Sequence, residues 1–399
     1  MEKNENICYI ASAGAGKTTH IINLVCEQLD NIKQHHKKIA IVTYTTNNQS
    51  IIEDRIKQQL GFIPNNIIVL GWFEFLLRYW INPYKGDIIG DLYNRHISIK
   101  FVDKPSGVRQ DLQTGKYFYT YQKHELAKKY LTSNKEKIFS DKLSEFAYEC
   151  YNKNKTTLLI RLENIFDSIF FDESQDFAGH DFEILKVILK SKSIWCVLAG
   201  DPRQHTFSTH VSRKNKEYEG KPDLYINKVM NSNRKKFVQL NYSDLICSHR
   251  CNKEICEFAS KITPDYPMTQ ECSCDKCIEK KEKFIKKKGC FLLKENDVNN
   301  YIKEYSPCGL TWNKNIIVSS LLKYRMNFGD SKGCECDSVI IYPTQTMINW
   351  LCNPMSIMPP ETKAKFYVAI TRAKFTTAIV VSNDFDNKAI GLSFGNKDD

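Results

Sequence analysis

The sequence lacks long apolar runs, tandem repeats and low-complexity segments. No stretch reaches the roughly 18 consecutive apolar residues of a membrane-spanning helix, and no secretory signal is visible. These absences argue against a membrane or repeat protein and predict a cytoplasmic location. In that compartment the 15 cysteines are expected to be thiols more often than disulfides.

Negative charge is also in deficit. The chain has 46 acidic residues against 57 lysines and arginines, a formal net charge of +11. Such a balance favours salt-dependent contact with phosphate backbones, although many basic proteins bind no nucleic acid. Charge therefore agrees with a nucleic-acid partner without identifying one.

The first chemical motif follows the apolar residues 7–10. Residues 11–19 read Ala-Ser-Ala-Gly-Ala-Gly-Lys-Thr-Thr, and an apolar stripe typical of a helix comes next. In this context the glycines let backbone N–H groups close around phosphate oxygens, Lys17 adds positive charge, and the Thr18 hydroxyl is a ligand for Mg²⁺. A chance glycine-rich turn is the alternative. The nucleotide-binding candidates are Ala13, Gly14, Ala15, Gly16, Lys17, Thr18 and Thr19.

Two adjacent carboxylates end a second apolar run, residues 169–171. Asp172 is placed to hold Mg²⁺, together with Thr18, and Glu173 to deprotonate the water that attacks the γ-phosphate. Such a pair at the end of a strand favours hydrolysis over transfer to another substrate. The alternative, that the acids merely end a strand, loses weight because Lys17 is present.

Gln204 ends a third strand-and-loop segment, residues 197–204, and its amide suits a sensor of the γ-phosphate. The blocks 14–18, 172–176 and 200–204 resemble motifs I, II and III of the UvrD/Rep/PcrA-like superfamily 1 DNA helicases. The resemblance continues through Ser248-His249-Arg250 (motif IV), residues 331–335 (motif V) and residues 367–374 (motif VI). It implies that Arg250 and Arg372 stabilise the transferring phosphoryl group and that Glu335 binds the nucleotide sugar.

The motifs for gripping a strand are less faithful to the family. Thr43 and Tyr44 resemble its first nucleic-acid motif, and Trp72 and Phe73 lie where the next is expected. Aromatic side chains suit stacking on bases, but Trp72 and its neighbours equally fit the buried face of a helix. Phe207 is the nearest substitute for the tryptophan that the family has after motif III.

The resemblance implies an α/β fold with two RecA-like P-loop NTPase domains and parallel sheets, and the spacing of the motifs leaves room for a helical insertion in the first. Residues 1–81 and 162–235 form the first domain, 82–161 the inserted accessory subdomain and 236–399 the second domain. The interval between Arg250 and Gly333 is too short to contain the large second accessory domain that the family has there. The resemblance thus implies a minimal motor.

These residues predict an ATP-dependent motor that uses Mg²⁺ and acts on single-stranded DNA, with 3′ to 5′ movement implied by the resemblance. A nuclease or another operon-encoded protein is the protein partner that such small motors suggest. The alternative is a nucleotide-controlled switch that grips DNA or a partner and hydrolyses ATP slowly. Two departures from the family support that alternative. The tryptophan expected after Gln204 is missing, and Asn327 and Gly329 stand where motif V of the family has a DNA-contacting threonine and histidine.

A cysteine cluster stands outside these motifs. Cys272, Cys274 and Cys277 offer three thiolates, and Cys290, Cys256 or Cys251 is the expected fourth ligand if zinc binds. Because the spacing is not that of a zinc ribbon, an exposed loop of reduced cysteines is the favoured interpretation. The sequence leaves the choice between zinc and free thiols open.

Overall fold

A computed structural model describes residues 4–31, 36–111, 114, 117–206, 214–231, 235–386 and 392–394. Its contacts divide the chain into two compact units. The first comprises Met1–Tyr9, Thr18–Gly200 and Ser208–Asn241, and the second Ile10–Lys17, Asp201–Phe207 and Tyr242–Asp399. Within the described residues, no helix combines the length and apolar character needed to cross a bilayer.

The first unit is built on a six-stranded sheet. Its strand order is β10-β1-β9-β8-β2-β3, and the pairs β1–β10, β8–β9, β2–β8 and β2–β3 are parallel. These strands are β1 (Asn6–Ile10), β2 (Lys38–Thr43), β3 (Ile67–Gly71), β8 (Phe166–Phe171), β9 (Trp195–Gly200) and β10 (Val238–Asn241). Most are apolar along their length because both faces of such a sheet are covered.

Helices connect and cover these strands. The α-helices are α1 (Lys17–Asn31), α2 (Thr46–Leu60), α3 (Trp72–Phe75), α4 (Lys85–Ile88), α5 (Leu126–Tyr130), α6 (Leu143–Lys153), α7 (Lys155–Ile165), α8 (Asp181–Leu189) and α9 (Pro222–Tyr225). Two π-helical segments, Leu76–Ile81 and Ile226–Met230, continue α3 and α9. The N-cap of α2 is Thr45, whose side chain accepts a hydrogen bond from the Asn48 N–H.

Residues 82–161, for which the sequence predicted an inserted subdomain, contain short helices and strands outside the six-stranded sheet. Besides α4 to α6 and part of α7, they contain the parallel pair β4 (Ser98–Lys100) with β7 (Lys137–Phe139) and the antiparallel pair β5 (Val108–Gln110) with β6 (Tyr117–Tyr119). The insertion is therefore helical with two small sheets.

The second unit has a five-stranded parallel sheet of order β13-β17-β16-β14-β15. Its strands are β13 (Gly289–Lys294), β14 (Cys308–Thr311), β15 (Tyr324–Asn327), β16 (Cys336–Ile341) and β17 (Ala373–Val381), and β11 (Cys247–Ser248) pairs separately with β12 (Gln270–Glu271). The helices are α10 (Lys253–Ile262), α11 (Asp275–Glu282), α12 (Val298–Tyr305), α13 (Gln345–Cys352) and α14 (Pro360–Ile370). Phe258, Trp350 and Phe366 pack edge to face in its core.

These two parallel α/β sheets confirm the predicted RecA-like fold. Residues 250–333, all of them described, are taken up by α10, α11, α12, β12, β13, β14 and β15. The division into domains at residues 81, 161 and 235 stays a prediction. The compact units differ from it in two respects, because residues 10–17 and 201–207 group with the second unit and residues 236–241 group with the first.

Candidate active site

The phosphate loop packs against the segment that carries motif IV. Gly14 and Gly16 have φ angles of 73° and 76°, a region that favours glycine. A Cβ on Gly14 would lie 2.7 Å from both Arg250 Cβ and Ser248 Oγ, and the His249 N–H donates to the Gly14 carbonyl over 2.9 Å. Glycine is therefore required at position 14 by conformation and by space.

Side chains from motifs III and VI hold the start of this loop. The Arg203 guanidinium donates to the Ala11 carbonyl over 2.7 Å and to Ser12 Oγ over 3.0 Å. The Ala13 N–H donates to the Tyr367 hydroxyl over 3.3 Å. These contacts fix the loop at Ala11, Ser12 and Ala13.

A buried ion pair organises this contact. Arg203 Nε donates to Asp201 Oδ1 over 2.7 Å, and the two side chains are 2% and 0% exposed. Burial acts to lower the pKa of the Arg203 guanidinium, but the charge and hydrogen bond of Asp201, together with Tyr367 and Tyr266, outweigh burial and place the pKa above its usual range. Burial also raises the pKa of the Tyr367 hydroxyl, which donates to Asp201 Oδ2 over 3.4 Å. Arg203 is thus charged and Tyr367 neutral near pH 7.

Gln204 and Arg372 meet in the same network. Gln204 Nε2 donates to Asp201 Oδ2 over 2.8 Å, and its Oε1 accepts from an Arg372 terminal nitrogen over 3.2 Å. Arg372 is 1% exposed and also donates to the carbonyls of Val368, Ser331 and Cys334. The amide of motif III is therefore tied to the arginine of motif VI.

Arg250 has a different partner. Its Nε and one terminal nitrogen donate to Glu335 Oε1 over 2.9 and 2.7 Å, and its other terminal nitrogen donates to the Thr371 carbonyl over 3.2 Å. Burial acts to raise the pKa of Glu335, but the charge and hydrogen bonds of Arg250, together with the charges of Lys374 and Arg372, lower it below the usual value. The predicted phosphate ligand and the predicted sugar ligand are thus paired with each other.

The carboxylates of motif II lie in the first unit, directly after β8. The Thr18 hydroxyl donates to Asp172 Oδ2 over 2.8 Å, and the Glu173 N–H donates to Asp172 Oδ1 over 2.9 Å. Glu173 has a φ angle of 57°, an uncommon conformation for a residue other than glycine that costs about 1–3 kcal/mol and is found at functional sites. The Gln175 amide donates to its carboxylate. The hydroxyl and carboxylate oxygens of Thr18 and Asp172 suit Mg²⁺, which takes oxygen ligands.

Thr19, the last predicted residue of the loop, accepts a hydrogen bond from an Arg55 terminal nitrogen over 2.9 Å.

The predicted strand-contacting residues separate into buried and accessible ones. Trp72 is 1% exposed, and its Nε1 donates to Asp181 Oδ1 over 2.8 Å. This burial favours the helix-face interpretation of Trp72 over stacking on a base. Thr43 is also buried, at 1% exposed. Tyr44 and Phe73 are partly exposed, and Phe207 lies outside the described residues.

Asp181 is a contact that the sequence did not reveal. It is fully buried and accepts from the Tyr44 hydroxyl over 2.6 Å, the Ala178 N–H over 3.1 Å and the Ser144 hydroxyl, in addition to Trp72. Its place at the start of α8, after motif II, is the only signal for it in the sequence. Asp201 and Arg203 stood within motif III and Tyr367 within motif VI, but nothing in the sequence indicated that they contact each other.

Comparisons with known proteins agree with the motifs. Residues 2–70 match the model of the UvrD/REP helicase N-terminal domain. The chain is 29% identical over 210 residues to the Gabija protein GajB of Bacillus cereus (strain VD045), a match that covers 51% of this chain and 38% of GajB. The chain therefore spans well under half the length of that relative.

Among solved structures, the complex of Arterivirus nonstructural protein 10 (helicase) with DNA aligns with a TM-score of 0.42 and 14% sequence identity. The alignment covers 95% of this chain and 61% of that one. The match of residues 2–70 to the UvrD/REP model and the similarity to GajB support the resemblance to UvrD-like superfamily 1 helicases that the order of motifs from Lys17 to Arg372 indicates.

Proposed function

We propose that the protein is an ATP-dependent motor that moves along single-stranded DNA. The observation that carries this proposal is the network in which Gln204 bonds to Arg372 while Arg250 lies against Gly14 of the phosphate loop. A neutral amide, two arginines and a phosphate loop in one compact unit are what sensing and stabilising a γ-phosphate requires. Movement 3′ to 5′ is the direction that the family resemblance implies.

In this proposal the loop binds ATP. Backbone N–H groups between Ala13 and Thr19 surround the phosphates, and Lys17 neutralises part of their charge. Thr18 and Asp172 hold Mg²⁺, which when bound withdraws charge from the phosphate oxygens. Gly14 and Gly16 supply the backbone conformation on which this depends.

Glu173 is the proposed general base. Its left-handed backbone and the amide of Gln175 fix the direction of its carboxylate, which takes the proton of the attacking water. Replacing Glu173 with glutamine keeps the shape and removes the base.

The arginines act on the developing charge. Arg372 is already aligned by its hydrogen bond to Gln204. Loss of the γ-phosphate therefore changes the contacts of the Gln204 amide, which also orients the attacking water. Arg250 exchanges Glu335 for the γ-phosphate when ATP binds, which releases Glu335 to hydrogen-bond the sugar. Hydrolysis is then coupled to a rearrangement that steps the bound strand.

DNA is the proposed track, since the net charge is +11 and Tyr44 and Phe73 are accessible aromatic side chains for bases. A nuclease or other operon-encoded protein is the proposed partner, as the resemblance to small superfamily 1 motors suggests.

The second candidate is a nucleotide-controlled switch that grips DNA or a partner and hydrolyses ATP slowly. The pairing of Arg250 with Glu335 favours it, because a catalytic arginine held by a carboxylate is withheld from phosphate. Sustained directional movement on a strand would exclude this candidate.

The deciding experiment measures steady-state ATP hydrolysis alone and with single-stranded DNA, single-stranded RNA or blunt duplex. A motor on single-stranded DNA should be stimulated strongly by that strand and weakly by the duplex. Glu173→Gln should lower turnover by about 10² to 10⁴ while ATP binding persists, since general base catalysis contributes about that factor. Turnover that ignores every nucleic acid would favour the switch, and normal turnover by Glu173→Gln would remove the assignment of the base.

A further inference from the structure

Three thiols and one imidazole converge next to motif IV. The ligand atoms of His249, Cys272, Cys274 and Cys277 all lie within 4.8 Å of one another, and we call this group the thiol–imidazole cluster. Its fourth member is His249, whereas the sequence predicted Cys290, Cys256 or Cys251 as the fourth ligand. The predicted exposure holds for Cys274 but not for Cys272 and Cys277, which are only 8% and 5% exposed.

Backbone contacts from two parts of the chain build the cluster. β11 and β12 pair in parallel, and the Cys272 N–H donates to the Ser248 carbonyl over 3.0 Å. This places Cys272 beside the residue that precedes His249. Cys274 is the N-cap of α11, and the Cys277 N–H donates to its carbonyl over 2.9 Å. The second and third thiols are therefore one helical turn apart on the same side.

The distances suit a tetrahedral ion with sulfur and nitrogen ligands. Cys277 Sγ lies 3.6 Å from His249 Nδ1. Zinc–sulfur bonds of about 2.3 Å in a tetrahedron separate neighbouring ligand atoms by about 3.8 Å. The spread of the cluster thus exceeds a loaded site by about an ångström at most, which rotation of the side chains covers.

The ligand set selects the metal. Soft thiolates and one imidazole favour zinc over magnesium or calcium, which take oxygen ligands. Four protein ligands leave no open position, so the site is of the structural kind. Lys281 donates to the Cys272 carbonyl over 3.1 Å and pairs with Glu271, so this side chain fixes the backbone at Cys272.

We propose that one Zn²⁺ binds to the thiol–imidazole cluster and fixes the segment that carries Arg250. Binding through the His249 ring holds a backbone whose N–H already donates to the Gly14 carbonyl of the phosphate loop. The next residue is Arg250. Zinc therefore braces motif IV against the loop, a consequence that rests on the proposed function, whereas the metal site itself does not.

The first test measures metal in the full chain, purified after expression with added zinc and passed over a chelating resin. Mass spectrometry of the metals should find about one zinc per chain. Cys274→Ser should lose most of this zinc. Cys352→Ser is the matched control, because Cys352 is an exposed thiol of the same unit outside the cluster, and it should retain zinc. His249→Cys, which supplies a fourth sulfur, should retain zinc where His249→Ala loses it.

A second measurement replaces zinc with cobalt, whose thiolate complexes absorb in the near-ultraviolet and visible ranges. The wild-type chain should give tetrahedral cobalt bands, and Cys274→Ser should not. A wild-type chain without zinc and without these bands, or full zinc retention by Cys274→Ser, would overturn the proposal. Iron in place of zinc would overturn the choice of metal.

Neither readout depends on nucleotide. A chain with zinc and no ATP hydrolysis would contradict the proposed motor alone, and a chain that hydrolyses ATP without zinc would contradict the metal site alone. If both hold, Cys274→Ser should lower turnover in proportion to the zinc lost, while Cys352→Ser hydrolyses ATP at the wild-type rate.

Discussion

Asp201 in the second unit and Asp181 in the first are both fully buried carboxylates, but they are satisfied in different ways. Asp201 is neutralised by the guanidinium of Arg203 and also accepts from Gln204 and Tyr367. Asp181 accepts from neutral donors, among them Tyr44 and Trp72. The first network fixes groups around the phosphate loop, and the second fixes the core beneath the candidate strand-contacting aromatics.

This difference teaches how each region should respond to substitution. Removing a charged partner leaves a buried charge without compensation, which costs far more than removing one neutral donor among several. The Asp201 network should therefore tolerate little change, whereas the Asp181 network should absorb single losses.

The largest effect is expected at Arg372, the proposed transition-state arginine, which hydrogen-bonds to Gln204 of the Asp201 network. Arg372→Ala should lower the turnover number for ATP by about 10³ to 10⁵, because the transition-state charge loses its arginine. Steady-state kinetics would measure this, with thermal unfolding to show that the variant is folded. Lys374→Ala, at a partly exposed neighbour that pairs with Asp337, is the control. If a folded Arg372→Ala variant kept its turnover within about tenfold of wild type, Arg372 would not be the residue that stabilises the transition state.

An effect on stability comes next, at Arg203. Arg203→Met should lower the free energy of unfolding by about 3–5 kcal/mol, since Asp201 keeps its charge in a buried place. Urea unfolding would measure it. Arg55→Met is the matched control because Arg55 is exposed, and a change within about 0.5 kcal/mol is expected there. Equal losses of unfolding free energy in Arg203→Met and Arg55→Met would show that breaking the buried ion pair has no special cost.

The smallest effect is expected in the Asp181 network. Trp72→Phe removes one of its donors and should lower the free energy of unfolding by about 1–3 kcal/mol, with the affinity for single-stranded DNA unchanged. Phe73→Ala should instead weaken that affinity by about 1–3 kcal/mol, the contribution of one stacked base. Fluorescence anisotropy with a labelled oligonucleotide would compare them. A loss of affinity in Trp72→Phe but not in Phe73→Ala would reverse the assignment.

The sequence by itself determined the features that depend on neighbouring residues. The strand, loop and helix around Lys17 and the strand that ends before Asp172 follow from apolar runs and glycines within a few positions. The order of motifs indicated a resemblance to the UvrD-like helicases, and that resemblance predicted the two parallel sheets.

Only the tertiary structure decided which distant residues meet. Arg203 reaches Ala11, Arg250 reaches Glu335, and His249 joins cysteines more than twenty positions away. The sequence also did not decide whether Trp72 is buried, because an aromatic residue at helical spacing can either pack in a core or stack on a base. Such contacts arise from the packing of whole elements, and the spacing of residues along the chain does not encode them.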